Sequence, residues 1–167
     1  MKKFENIILA SDIDGTLLWK YSGLNPKNTE KIRYFTENGG HFLISSGRNS
    51  KDIMVVSKEL IDLVNTPCVL VNGGMLYDIE KDEIENPVYV DTEKLVELLS
   101  DVEEKFPDVG FRASHSGGFL ARDYDEYIMN ELEKFGVAGY ATFCKLDDFR
   151  GYKLFKAIFR HTTERIA

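Results

Sequence analysis

The segment "LASDIDGTL", Leu9–Leu17, sets two carboxylates one residue apart, directly after the apolar run "NIILA". Asp12 and Asp14 fall at the end of a strand-like stretch, and Gly15 permits a tight turn there. Like charges so close together repel, so a fold that keeps them needs a compensating cation or a chemical use for them. Alternation with period two sends both side chains to one side. Two converging carboxylates suit Mg2+, which takes one or two carboxylates plus waters and phosphate oxygens. One acid could then attack phosphorus while the other handles protons. A calcium loop is excluded by spacing, because it needs glycine at its sixth position and a bidentate glutamate at its twelfth. Here the glycine is fourth from Asp12 and the twelfth residue is Gly23. A solvated Asp-Gly turn is the bland alternative.

Two further segments carry polar groups suited to the same chemistry. In "LISSGRN", Leu43–Asn49, Ser46 and Gly47 offer a hydroxyl and backbone N–H groups near a helix N-terminus, a cradle for phosphate. Arg48 adds a charged fork for phosphate or for an acid. In "LVNGGMLYD", Asn72 precedes Gly73-Gly74 and could donate to a ligand. Each is weak alone, since Ser-Gly before a helix is often only a cap and Asn-Gly-Gly only the start of a hairpin. Together they place polar loops after successive strands, which is how parallel sheets assemble phosphate sites.

The elements that position these loops read as follows. "IILA" (7–10) is a strand buried on both faces, "HFLISS" (41–46) a second and "CVLVN" (68–72) a third. "LNPKNTEKIRYFTENGG" is a helix capped by Asn25, with Pro26 at its first position, Ile32 and Phe35 on its apolar face, and Asn38-Gly39 closing it. "SKDIMVVSKELIDL" (50–63) is a second helix with Ile53, Val56 and Leu60 inward. Strand, helix, strand, helix, strand at these lengths predicts βαβ units in a parallel sheet.

From Met75 the pattern changes. A hairpin turns around Lys81 and Asp82 and returns as far as Val90. A helix capped at Asp91 or Thr92 follows, with Leu95, Leu98, Val102 and Phe106 inward. A hairpin turning at Ser116–Gly118, a helix with Ile128, Leu132 and Phe135 inward, and a strand over 152–160 complete the pattern. The final "HTTERIA" reads as a helix that has only begun, as in a fragment of a longer protein. We expect two units, an α/β layer over 1–84 and an α+β unit over 85–167.

Composition narrows the partners. With 43% hydrophobic residues and net charge -7, the chain suits a soluble acidic protein and opposes binding to nucleic acid or anionic membranes. No apolar stretch approaches the ~18 residues of a membrane-spanning helix. Cys68 and Cys144, without C-x-x-C spacing or a secretory leader, suit free thiols in a reducing cytoplasm. His41, His115 and His161 share no ligand-like spacing.

"DIDGTL", "ISSGR" and "VLVNGGMLYD", with "YKLFKAIF" as a cap strand, resemble the haloacid dehalogenase (HAD) superfamily of phosphohydrolases, in its Cof-type branch with a IIB cap. The resemblance implies a Rossmann-like α/β core with an inserted α+β cap domain. It implies Asp12 as nucleophile, forming an aspartyl-phosphate, and Asp14 as the acid that protonates the leaving group and then the base that activates water. Mg2+ would be held by the Asp12 carboxylate and the Asp14 backbone carbonyl. Ser46 would hold phosphoryl oxygens, with Gly47, Arg48 and Asn72 as further contacts to a small phosphorylated metabolite such as a sugar phosphate.

The family's pattern continues, after its cap, with a phosphate-clamping lysine and a "GDxxND"-like acidic loop. No Gly-Asp pair occurs in this chain; Asp147 and Asp148 read as loop acids, and Lys153 and Lys156 as residues of a cap strand. The sheet is then expected to expose an edge and an apolar face, a route to a homodimer. A non-catalytic binding module and a phosphomutase are the competing expectations.

Overall fold

The computed structural model describes residues 2–18, 23–123 and 125–161. The chain divides into two compact units, residues 1–87 and 88–167. In the first, β1 (Ile8–Ser11) pairs in parallel with β2 (His41–Ile44), Ile8 opposite His41 and Ser11 opposite Ile44. A parallel bridge from Ser45 to Val69 sets β3 (Cys68–Leu70) on the far side of β2. β4 (Met75–Asp78) and β5 (Glu83–Glu85) then extend this side as an antiparallel meander. The parallel strands therefore run β1–β2–β3, and their C-terminal ends lie along one edge.

The crossover from β1 to β2 is α1 (Pro26–Glu37). It starts as its sequence dictates: the Asn25 side chain accepts from the Lys27 N–H at 2.9 Å and Pro26 occupies the first turn. It stops at Asn38, where Gly39 takes φ +93°, a left-handed conformation suited to glycine. The second crossover departs from expectation. Where one helix over 50–63 is predicted, α2 (Ser50–Met54) stops and α3 (Lys58–Ile61) starts afresh. Val55-Val56 hold the helix weakly because their χ1 freedom is restricted. The Ser57 hydroxyl accepts from the Leu60 N–H at 3.3 Å and so caps a new turn. Ile53 and Leu60 are nonetheless fully buried.

Phe42, Ile44, Leu70, Met75 and Tyr77 join them in the core of this unit. Full burial of such side chains contributes about 1.5–3 kcal/mol each. β1 does not share in this. Ile7, Ile8 and Leu9 are 49%, 66% and 42% exposed, against the expectation of a strand buried on both faces. Among the described residues β1 pairs with β2 alone, and an apolar run is buried only where other elements cover it.

The second unit is a four-stranded sheet in the order β8-β7-β6-β9. β6 (Gly110–His115) and β7 (Gly118–Arg122) form the predicted hairpin. β9 (Lys156–Arg160) pairs antiparallel with β6, shorter than predicted, so Lys153 precedes it. β8 (Ala141–Cys144), parallel to β7, has no counterpart in the sequence reading. α4 (Thr92–Lys105) packs with Val96 and Leu99 against Phe111, Ala113, Leu120, Phe149 and Leu154. Of its predicted inward residues, Leu95 and Val102 pack against this cluster, whereas Leu98 and Phe106 are exposed. α5 (Glu126–Lys134) buries Ile128 and Leu132 with Phe119 and Val137, while Phe135 is exposed. Cys68 and Cys144 are free thiols. The terminal helix expected after His161 lies outside the described residues, and no helix among these is long and apolar enough to cross a membrane.

Candidate active site

The edge where β1, β2 and β3 end carries the residues singled out by sequence. Past β1 the chain tightens at once: the Ile13 carbonyl accepts from the N–H groups of Thr16, Leu17 and Leu18 at 3.2, 3.0 and 2.9 Å. Gly15 makes this turn possible with φ +81°, which side chains adopt at a cost of about 1–2 kcal/mol. Ile13 is fully buried and anchors the turn, while Asp12 and Asp14 on either side of it are exposed.

Asp14 is held by Arg48. The guanidinium donates Nε to Oδ2 and Nη2 to Oδ1, both at 2.9 Å, a bidentate fork. These hydrogen bonds hold the Asp14 carboxyl below its usual value, against the opposing effect of partial burial. Arg48 is in turn held further toward its charged form, first by the Asp14 hydrogen bonds and then by the charges of Asp14, Asp52 and Asp12. Asp12 thus acts on the same guanidinium through space. Among the described residues, nothing donates to its carboxylate.

The loop after β2 is braced from within and from β3. Ser46, 7% exposed, accepts through its hydroxyl from the Arg48 N–H at 3.2 Å, and its own N–H donates to the Val69 carbonyl at 2.9 Å. Gly47 lies between the two residues. The Arg48 carbonyl accepts from the Val71 N–H at 3.0 Å, and the Ser46 carbonyl from the Asn72 N–H at 3.3 Å. β3 stops at Leu70, two residues before the predicted end, because Val71 and Asn72 turn left-handed at φ 55° and 58°. Asparagine tolerates that region, whereas a β-branched valine does so only when its surroundings impose it. Val71 is 4% exposed and caught between the core and Arg48.

Asp14, Ser46, Arg48 and Asn72 are therefore joined by direct hydrogen bonds, with Asp12 exposed beside them. Two residues that support the loop escaped the sequence reading. Asn49 caps α2 by accepting from the Lys51 and Asp52 N–H groups at 2.9 and 2.8 Å, and Asp52 accepts in return from the Asn49 N–H at 3.2 Å. The spacing "NSKD", a capping residue followed three later by an acid, was the available signal.

The donor set can be weighed for Mg2+. The open carboxylate of Asp12 is a hard ligand of the kind Mg2+ accepts alongside waters and phosphate oxygens. The Asp14 carboxylate is committed to Arg48, so a contribution from that residue falls to its backbone carbonyl. Among the described residues no three acids, histidines or cysteines come together as a metal cage. The residues fit part of an Mg2+ coordination sphere.

Known proteins with this pattern agree with the fold. The 5-amino-6-(5-phospho-D-ribitylamino)uracil phosphatase of Bacillus subtilis is 36% identical over 70 residues, 42% of this chain and 23% of that protein. A solved HAD subclass IIB sugar phosphatase superposes with a TM-score of 0.77 at 18% identity, over 96% of this chain and 60% of that one. A protein from Thermotoga maritima gives 0.72 at 17% identity, over 96% and 58%. The chain thus spans about a quarter of the curated relative and under two thirds of the solved chains. A family model described as haloacid dehalogenase-like hydrolase matches residues 9–166, nearly the whole sequence, and the chain belongs to that family.

Proposed function

We propose that this chain carries the nucleophile half of an Mg2+-dependent phosphatase acting on small phosphorylated metabolites, with residues 85–167 as its cap. The observation that supports this most is the division of labour between the two carboxylates: Asp12 is open to a ligand while Asp14 is oriented by the Arg48 fork. Asp12 attacks phosphorus in line and becomes an aspartyl-phosphate. Asp14 gives a proton to the leaving oxygen and then takes one from the water that attacks the phosphorus, displacing the Asp12 carboxylate and releasing inorganic phosphate. It must leave Arg48 to do the first, since the fork favours its charged form. The Ser46 hydroxyl and the neighbouring N–H groups orient the phosphoryl oxygens. The Asp12 carboxylate and the Asp14 carbonyl would hold Mg2+, which when bound would supply charge neutralisation on those oxygens. Two free thiols accord with a reducing, cytoplasmic setting.

The test is Mg2+-dependent release of phosphate from an aryl phosphate. Loss of release in Asp12→Asn is the expected result, and full activity in that variant removes Asp12 from the mechanism. A phosphomutase would instead require a bisphosphorylated sugar and show little net hydrolysis. The exposed apolar strand β1 favours a second reading, a module that associates with itself through this edge. Sedimentation that stays monomeric at high concentration refutes it.

A further inference from the structure

The second unit contains a buried charge that its own residues match incompletely. Arg112, in the middle of β6, is 5% exposed. Its Nε donates to Glu131 Oε2 at 3.4 Å, and its Cζ lies 4.3 Å from the centroid of the Phe119 ring. Its Nη1 is buried and, among the described residues, has no hydrogen-bond partner. Glu131, on α5, also accepts from Arg160 Nη2 at 2.6 Å, so a single carboxylate serves two guanidiniums. A desolvated guanidinium donor without an acceptor is costly, and native folds seldom keep one unless something else fills it.

Register shows what surrounds it. β6 and β9 pair Gly110 with Arg160, Arg112 with Ile158, and Ser114 with Lys156. Residues directly opposite in an antiparallel pair point to the same face. Arg112, Ser114, Lys156 and Arg160 therefore share one side of the sheet, the side α5 borders through Glu131. The opposite side is the apolar layer of Phe111, Ala113, Ala157 and Phe159 beneath α4.

We propose that Arg112 and Arg160, with Glu131 as their internal counter-ion and Ser114 beside them, form an oxyanion site for a phosphate or carboxylate group. The trio carries a net positive charge, and the planar fork of each guanidinium matches either oxyanion. Arg160 is the way in, since 43% of its side chain reaches solvent whereas Glu131 and Arg112 are nearly enclosed. The ligand competes with Glu131 for Arg160, whose Nη1 also donates to the Phe159 carbonyl at 3.0 Å, and supplies Nη1 of Arg112 with an acceptor. The site belongs to the second unit and does not depend on the role assigned to Asp12.

Nitrogen–proton spectra of the arginine Nε–H groups test this on the full chain, titrated with inorganic phosphate at constant ionic strength. Saturable shifts of both the Arg112 and Arg160 signals are expected. Arg160→Met, a change at a partly exposed position that spares the core, weakens the apparent affinity about tenfold or more. Glu131→Gln, by removing the competing charge, tightens it. Arg48→Met leaves the Arg112 shift intact, so failure of the first unit's reading cannot mimic failure here. A parallel titration with acetate separates the sources: tighter phosphate marks a phosphoryl ligand, tighter acetate a carboxylate. Shifts that never saturate, an Arg112 signal indifferent to either anion, or a saturable shift unaltered by Arg160→Met each overturn the proposal. Unchanged or weakened affinity in Glu131→Gln overturns it as well.

Discussion

Breaking the Asp14–Arg48 fork offers a direct measure of how the edge carrying the candidate site is held. The perturbation is a double-mutant cycle of Asp14→Asn, Arg48→Met and the pair. Both hydrogen bonds are 2.9 Å and charge-assisted, a geometry that would be strong in a dry site. Solvent weakens it here: the Arg48 side chain is 18% exposed but that of Asp14 is 59% exposed. The coupling is therefore expected at the top of the range for exposed pairs, about 1 kcal/mol. Urea unfolding followed by circular dichroism, fitted for the first unit, gives the four free energies. The pH dependence has a definite sign. The folded pKa of Asp14 lies below its ordinary 3.8, so the coupling is fully present above that value. It fades as pH falls through the lower folded value, when the carboxylate is neutralised. A coupling below about 0.2 kcal/mol, the lower limit for exposed pairs, would show the fork to be energetically idle. A coupling that does not fade as the pH falls through the lowered folded value would show that charge is not its origin.

Three further outcomes follow from named contacts. Asp125, 4% exposed, accepts from the Phe111 and Ile128 N–H groups at 3.0 Å each, so it caps α5 and ties it to β6. Asp125→Ala is expected to destabilise the second unit by about 2–4 kcal/mol in urea, and a loss under about 1 kcal/mol contradicts this. At Val71, glycine is expected to cost no more than alanine, reversing the ordinary preference, because φ is 55°; a clearly worse Val71→Gly in thermal unfolding removes the claim of strain. The His115 Nδ1 accepts from the Gly117 N–H at 3.1 Å, its ring packs tilted against Tyr152 with centroids 5.0 Å apart, and burial holds its pKa below the ordinary 6.5. Its stabilising effect is complete above 6.5 and is lost as pH falls through the lower folded value. His115→Phe is expected to flatten that part of a melting-temperature profile, and an unchanged slope argues against it.

Much of the architecture was readable because its signals are local. Asn25-Pro26 starts α1 and Gly39 ends it through atoms within a few residues of each other. The hairpin turn after His115 is of the same kind. Ser57 was equally local but was overlooked, since the apolar spacing of Ile53, Val56 and Leu60 suggested one continuous helix. β8 was missed because its four residues, "ATFC", become a strand only by pairing with β7.

The candidate site divides along the same line. Residue types and spacing alone determined that Asp12, Asp14, Ser46, Arg48 and Asn72 would fall in loops after successive strands, because chain direction and strand order put those loops on one edge. Only the tertiary structure decided that Asp14 is bound to Arg48, 34 residues away, while the Asp12 carboxylate accepts no hydrogen bond among the described residues. It also decided that β1 is exposed, and that Arg112 and Arg160 share Glu131. Caps and turns are set by bonds between near neighbours. The partner of a charge and the cover over a strand depend on which distant segments the fold brings together.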